Sequence, residues 1–118
     1  MAKQVVMKEW KLMKKRIEKL IKAGKDEEAL QLLKKELKKD PDDFWAALKL
    51  ASYYEQPKDV ESARKYYLQA GKILSKAGKQ LEAAQILKSA FQNLGGEELL
   101  KELGKVGKRL IIKKKTRK

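Results

Sequence analysis

Apolar and small residues recur along this chain at a spacing of 34. Leu20, Ala29 and Leu33 are followed 34 positions later by Tyr54, Ala63 and Tyr67. Met13 and Ile17 map onto Ala47 and Ala51 in the same way. A period of this size belongs to a helical hairpin, which cannot cover its apolar face alone and completes its core by stacking on the next unit. The spacing therefore predicts antiparallel helices in series, a form that offers long faces to a partner.

Six helices follow from the local patterns. Val6, Trp10, Met13, Ile17 and Leu20 form one apolar stripe on the first, which runs from about Gln4 to Ala23 and stops at Gly24. The second opens at Asp26, whose carboxylate suits a cap, and carries Ala29, Leu30, Leu33 and Leu37 inward. Asp40-Pro41 predicts the start of the third, with Asp40 as cap and Pro41 at the first helical position. Its inner residues are Phe44, Ala47, Leu48, Ala51 and Tyr54, and Gln56-Pro57 ends it. The fourth spans about Asp59 to Ala77, the fifth Gln80 to Leu94, and the sixth begins at Glu97. Gly104 and Gly107 weaken that last helix by about 1 kcal/mol each relative to alanine. No sustained strand alternation competes. One domain over residues 1–112 is expected, with 113–118 as a basic tail without fixed structure.

The charge distribution narrows the choice of partners. The formal net charge is +14 over 118 residues, yet residues 1–25 contribute +7, residues 104–118 contribute +8, and residues 26–103 contribute −1. Basic ends on a near-neutral centre predict electrostatic attachments to a scaffold. With no cysteine, disulfides and thiolate metal sites are excluded. The longest apolar run is the five residues Phe44 to Leu48, far short of a membrane span. A soluble, cytoplasmic chain is the expectation.

Residues 10–97 resemble the tetratricopeptide repeat. The first unit reads Met13, Ile17, Leu20, Gly24, Ala29, Leu33 and Pro41, and the second reads Leu50, Ala51, Tyr54, Ala63, Tyr67 and Ala70. A third match, Tyr67, Ala70-Gly71, Leu74, Gly78, Ala83, Leu87 and Ala90, is out of phase, its alanine lying 20 residues after Ala63. The fourth helix thus fits two roles, second in one unit and first in the next. Ala70-Gly71-Lys72 through Ala90 is also similar to the soluble NSF-attachment protein branch of that superfamily. Trp10 is offset from the family position, and Lys58 stands where glycine is usual. The resemblance implies an all-α, right-handed stack of antiparallel hairpins, with the sixth helix capping the open end.

It also implies a groove lined by the first helix of each pair. Matched by position, the lining would be Lys11, Lys14, Glu18 and Ile21, then Trp45, Leu48, Ser52 and Glu55, offered to a protein or peptide. Trp45 and Leu48 would supply apolar contact, and Lys11 and Lys14 would meet acidic residues. Lys14 is followed by Glu18 where the family's carboxylate-clamping subset has asparagine, which argues against recognition of a C-terminal carboxylate. A second binding mode would use the basic ends: Lys8, Lys15, Arg16, Lys19 and Lys22 with Lys105, Lys108, Arg109, Lys113, Lys114, Lys115, Arg117 and Lys118. Were the ends adjacent, they would form one field for the phosphates of RNA or DNA, or for another polyanion.

Catalysis has little to stand on. Histidine and cysteine, the commonest acid–base group and the strongest nucleophile, are both absent. Gly71 to Gly78-Lys79-Gln80 has six residues between its glycines instead of the four of a phosphate loop, and glutamine where a hydroxyl is required. Gly104-Lys105-Val106-Gly107 spells an RNA-module glycine loop, but the strands which that module needs are missing. Asp26, Glu27 and Glu28 read as a helix start and not as metal ligands. No cofactor is expected, and a non-enzymatic adaptor is the leading expectation.

Overall fold

The computed structural model describes the backbone of residues 2–55 and 59–115, and side chains within 9–55 and 59–111. Six helices occupy these residues: α1 (Ala2–Lys22), α2 (Asp26–Lys39), α3 (Phe44–Glu55), α4 (Val60–Lys76), α5 (Gln80–Leu94) and α6 (Glu97–Lys115). Among the described residues there is no strand. Gln56, Pro57 and Lys58 lie outside them, so the expected stop at Gln56-Pro57 does too. Helix α6 runs through the first three residues of the expected tail.

The same four-residue turn closes two hairpins. Lys22-Ala23-Gly24-Lys25 and Lys76-Ala77-Gly78-Lys79 are identical in sequence, and Gly24 and Gly78 take φ of 75° and 84°. In each turn the lysine N–H reaches back to a leucine carbonyl, Lys25 to Leu20 and Lys79 to Leu74, both at 2.9 Å. The glycine N–H groups bond Ile21 and Ser75 at 3.1 and 3.0 Å. This pairing satisfies helix-end carbonyls that would otherwise lack donors. Hairpins α1–α2 and α4–α5 are therefore built alike, 54 residues apart, as the out-of-phase third match requires.

Two helix starts differ from the sequence expectation. Asp26 is the first residue of α2 and not its cap; Lys25 holds the cap position without a side-chain bond. Asp26, Glu27 and Glu28 act there through the helix dipole. Helix α3 begins at Phe44, not at Pro41. Asp43 caps it, its Oδ1 accepting from the Ala46 N–H at 3.1 Å, while Asp40 serves the preceding turn by accepting from the Asp42 N–H. Three aspartates compete within four residues, and a tertiary contact decides: Asp43 also accepts a hydrogen bond from Trp10.

Packing follows chain order. Each helix lies on its sequence neighbours, and among the described residues the one further pair whose backbones approach within 8 Å is α4 with α6. Helices α3 and α5 bring no described Cα atoms within 8 Å of one another. Helix α4 thus lies against three others, α3, α5 and α6. Two apolar clusters result. One joins Ile17, Leu30, Leu33, Leu37 and Leu50 with Ala46, Ala47 and Ala70; the other joins Leu74, Leu87, Leu99 and Val106 with Ala83 and Ala90. Phe44 touches both. The alanines let helices approach while leucines fill the space beside them.

Gly71 marks a close crossing of α4 and α5. An added Cβ would lie 2.5 Å from Leu87 Cδ2, so α4 meets α5 through a bare backbone. At the far end of α5, the Arg64 guanidinium donates from Nε to the Leu94 carbonyl at 3.0 Å, with Nη2 on the same oxygen. The molecule extends 48 × 42 × 19 Å, thin in one direction, because it is about two helices deep. Its radius of gyration, 15.9 Å, exceeds the roughly 13.5 Å of a compact domain of this length.

Candidate partner-binding surface

Helices α1 and α3 bring no described Cα atoms within 8 Å, so long side chains span the space between them. Trp10 and Lys14 come from α1, one turn apart; Trp45 and Lys49 come from α3. The Lys14 ammonium sits 5.3 Å from the centre of the Trp10 ring and 5.3 Å from that of Trp45. The Lys49 ammonium lies 5.8 Å from the Trp45 ring. Each such contact contributes about 0.5–1 kcal/mol at a partly exposed site. The Trp10 Nε1–H donates to Asp43 Oδ2 at 3.1 Å, which ties the wall to the start of α3.

Trp45 and Leu48 are both half-buried. Trp45 packs on the first apolar cluster while its ring is held by lysines, so it is neither entombed nor free. Lys14 joins it directly. Lys11, Glu18 and Ser52 are exposed, and Ile21 is 38% exposed. Glu55 turns inward: its Oε2 accepts from the Tyr67 hydroxyl at 2.8 Å. Of the residues matched to the groove, the structure unites Lys14 and Trp45, and it assigns Glu55 to an internal bond. A separate open cleft of about 840 Å³ lies between α1 and the end of α2, floored by Trp10, Leu12 and Met13. Leu12 there is 68% exposed, and none of the expected groove residues lines it.

The basic residues are split. Lys15, Arg16, Lys19 and Lys22 are exposed on α1, and Lys105 and Lys108 on α6. Arg109 is engaged internally, its Nη1 donating to Ser75 Oγ and lying 3.9 Å from the buried Glu102 carboxylate. The side chains of Lys8, Lys113, Lys114, Lys115, Arg117 and Lys118 lie outside the described residues. Helices α1 and α6 bring no described Cα atoms within 8 Å of one another. Sequence reasoning missed Lys49 and the Trp10–Asp43 bond. The unusual offset of Trp10 was the signal that could have found the latter.

Burial and the Glu55 bond, in that order, push the Tyr67 hydroxyl up to about 12. Its unfolded value is near 10, so the folded state keeps this proton while the unfolded chain loses it. The stability tied to this proton is intact below about pH 10 and is lost as pH rises through about 12. Ultraviolet titration of the tyrosines is expected to show a late component that Tyr67→Phe removes.

The clusters contain no set of His, Cys, Asp or Glu suited to a metal among the described residues. No described helix is long and apolar enough to cross a membrane. Neither a protein-family model nor a curated protein sequence matches the chain.

Proposed function

We propose that this chain is a non-enzymatic interaction scaffold of the tetratricopeptide-like kind, and that its trough between α1 and α3 takes a peptide or helix of a protein partner. The 34-residue spacing, the repeated glycine turn and the sequential packing support the architecture. One observation carries the functional reading: Lys14 and Trp45, both matched to groove positions by the resemblance, meet across helices whose backbones stand apart. A half-buried indole beside a half-buried leucine, with ammonium groups over the ring, is an anchor suited to an apolar residue flanked by acids.

Peptides selected from a display library on the immobilised protein test this. The expected winners lose at least about tenfold in affinity against Leu48→Glu, the scale of a lost hot-spot contact. Trp45→Ala is expected to act in the same direction. Selected peptides indifferent to both changes would refute the trough. The competing reading, nucleic acid held by the basic ends, has less support, since α1 and α6 bring no described Cα atoms within 8 Å of one another.

A further inference from the structure

A second cleft, of about 710 Å³, lies between α2 and α4, away from the α1–α3 trough. Its apolar lining is Leu32, Tyr66 and the nearly buried Leu37, and Lys34, Lys35, Lys38 and Lys65 line it with Gln31 and Gln69. All four lysines are exposed, and none makes an ion pair with a described carboxylate. No acidic residue lines the cleft. Two of the lysines are held in place: the Lys34 ammonium lies 5.5 Å from the Tyr54 ring and that of Lys65 lies 5.3 Å from the Tyr66 ring. Tyr54 and Tyr66 in turn stack at 5.8 Å with planes 9° apart. The charges are thus presented on a braced aromatic support instead of on free side chains.

We infer that this cleft docks an acidic, amphipathic segment of a partner protein, its apolar side on the half-buried Leu32 and its carboxylates on the four lysines. Charge complementarity fixes the sign of the occupant. The apolar lining distinguishes a polypeptide from a nucleic acid, whose phosphate backbone would leave that lining unused. The Tyr66 ring is already committed to Tyr54 and Lys65, which removes it as a platform for base stacking. The lining also lacks arginine, the side chain that grips phosphates in bidentate fashion.

The test uses the full chain and a dye-labelled synthetic helix of about sixteen residues, glutamates on one face and leucines on the other. Fluorescence anisotropy is read for the wild type, for Lys35→Glu/Lys38→Glu, and for Lys105→Glu/Lys108→Glu, which changes net charge equally on α6. The expected result is micromolar binding, weakened about tenfold or more by the α2 pair and less than about threefold by the α6 pair. A scrambled peptide of the same composition binds more weakly. Binding that is lost with Leu48→Glu and kept by the α2 pair places the peptide at the α1–α3 surface and overturns the proposal, so the two sites can fail separately. Equal loss in both charge-reversed variants overturns the proposal, because it marks a diffuse field. Absence of binding overturns it too, as does a single-stranded oligonucleotide that binds more tightly than the peptide and is lost with the α2 pair.

Discussion

Asp43→Ala is expected to lower the free energy of unfolding by about 2–4 kcal/mol, while Asp40→Ala changes it by less than about 1 kcal/mol. Asp43 serves two partners from one nearly buried carboxylate, 6% exposed. Its Oδ1 caps α3, a bond whose loss costs about 0.5–2 kcal/mol. Its Oδ2 accepts from the Trp10 indole, which alanine would leave without a partner at a further cost of about 1–3 kcal/mol. Asp40 makes one exposed bond within a turn. Urea unfolding of both variants decides the matter. A loss at Asp40 equal to that at Asp43 would move the start of α3 back to Pro41. Because Trp10 also holds Lys14, Asp43→Ala should loosen the trough as well as the fold, whereas a cap alone would leave peptide affinity intact.

Gly71→Ala and Gly104→Ala should act in opposite directions. Both glycines lie inside helices, where alanine has the better intrinsic propensity by about 1 kcal/mol. At Gly104 an added Cβ meets nothing within 4 Å, so that gain is realised in full; Gly107 is open in the same way. At Gly71 the Cβ would fall 2.5, 2.6 and 3.0 Å from three carbons of Leu87, a fully buried side chain with no room to swing aside. Either Leu87 leaves its rotamer or α4 and α5 separate, and overpacking of this kind costs about 1–3 kcal/mol. The net expectation is destabilisation at Gly71 and stabilisation of about 1 kcal/mol at Gly104, read as thermal midpoints that move apart by several degrees. A Gly71→Ala chain as stable as the wild type would mean that the crossing is looser than this geometry.

These predictions show where local pattern sufficed. The apolar stripes of Ile17, Leu33, Leu87 and Val106 all face cores, because a 3.6-residue period leaves an amphipathic helix few ways to bury its face. Gly24 and Gly78 end helices as expected, since positive φ is cheap for glycine alone. The start of α3 was misplaced because Asp40, Asp42 and Asp43 are locally equivalent, and only Trp10, 33 residues upstream of Asp43, separates them. The cleft between α2 and α4 was hidden for a different reason. Residues 26–103 sum to −1, and a sum is blind to acids gathered at helix starts while Lys34, Lys35 and Lys38 line one cleft.

What the chain's own pattern settled is the number of helices, their class and the hairpin series. Those depend on propensity, caps and spacing, interactions that act within a few turns. Tertiary structure alone decided that α4, whose double role the spacing already carried, also packs on α6. It also decided which charges stay available, drawing Arg109 onto Ser75 and Glu102, and Glu55 onto Tyr67, while leaving Lys35 and Lys38 outside. The physical reason is that a side chain's partners across a helix interface are set by crossing distance and register, and small residues such as Gly71 and Ala70 fix those only once the helices meet.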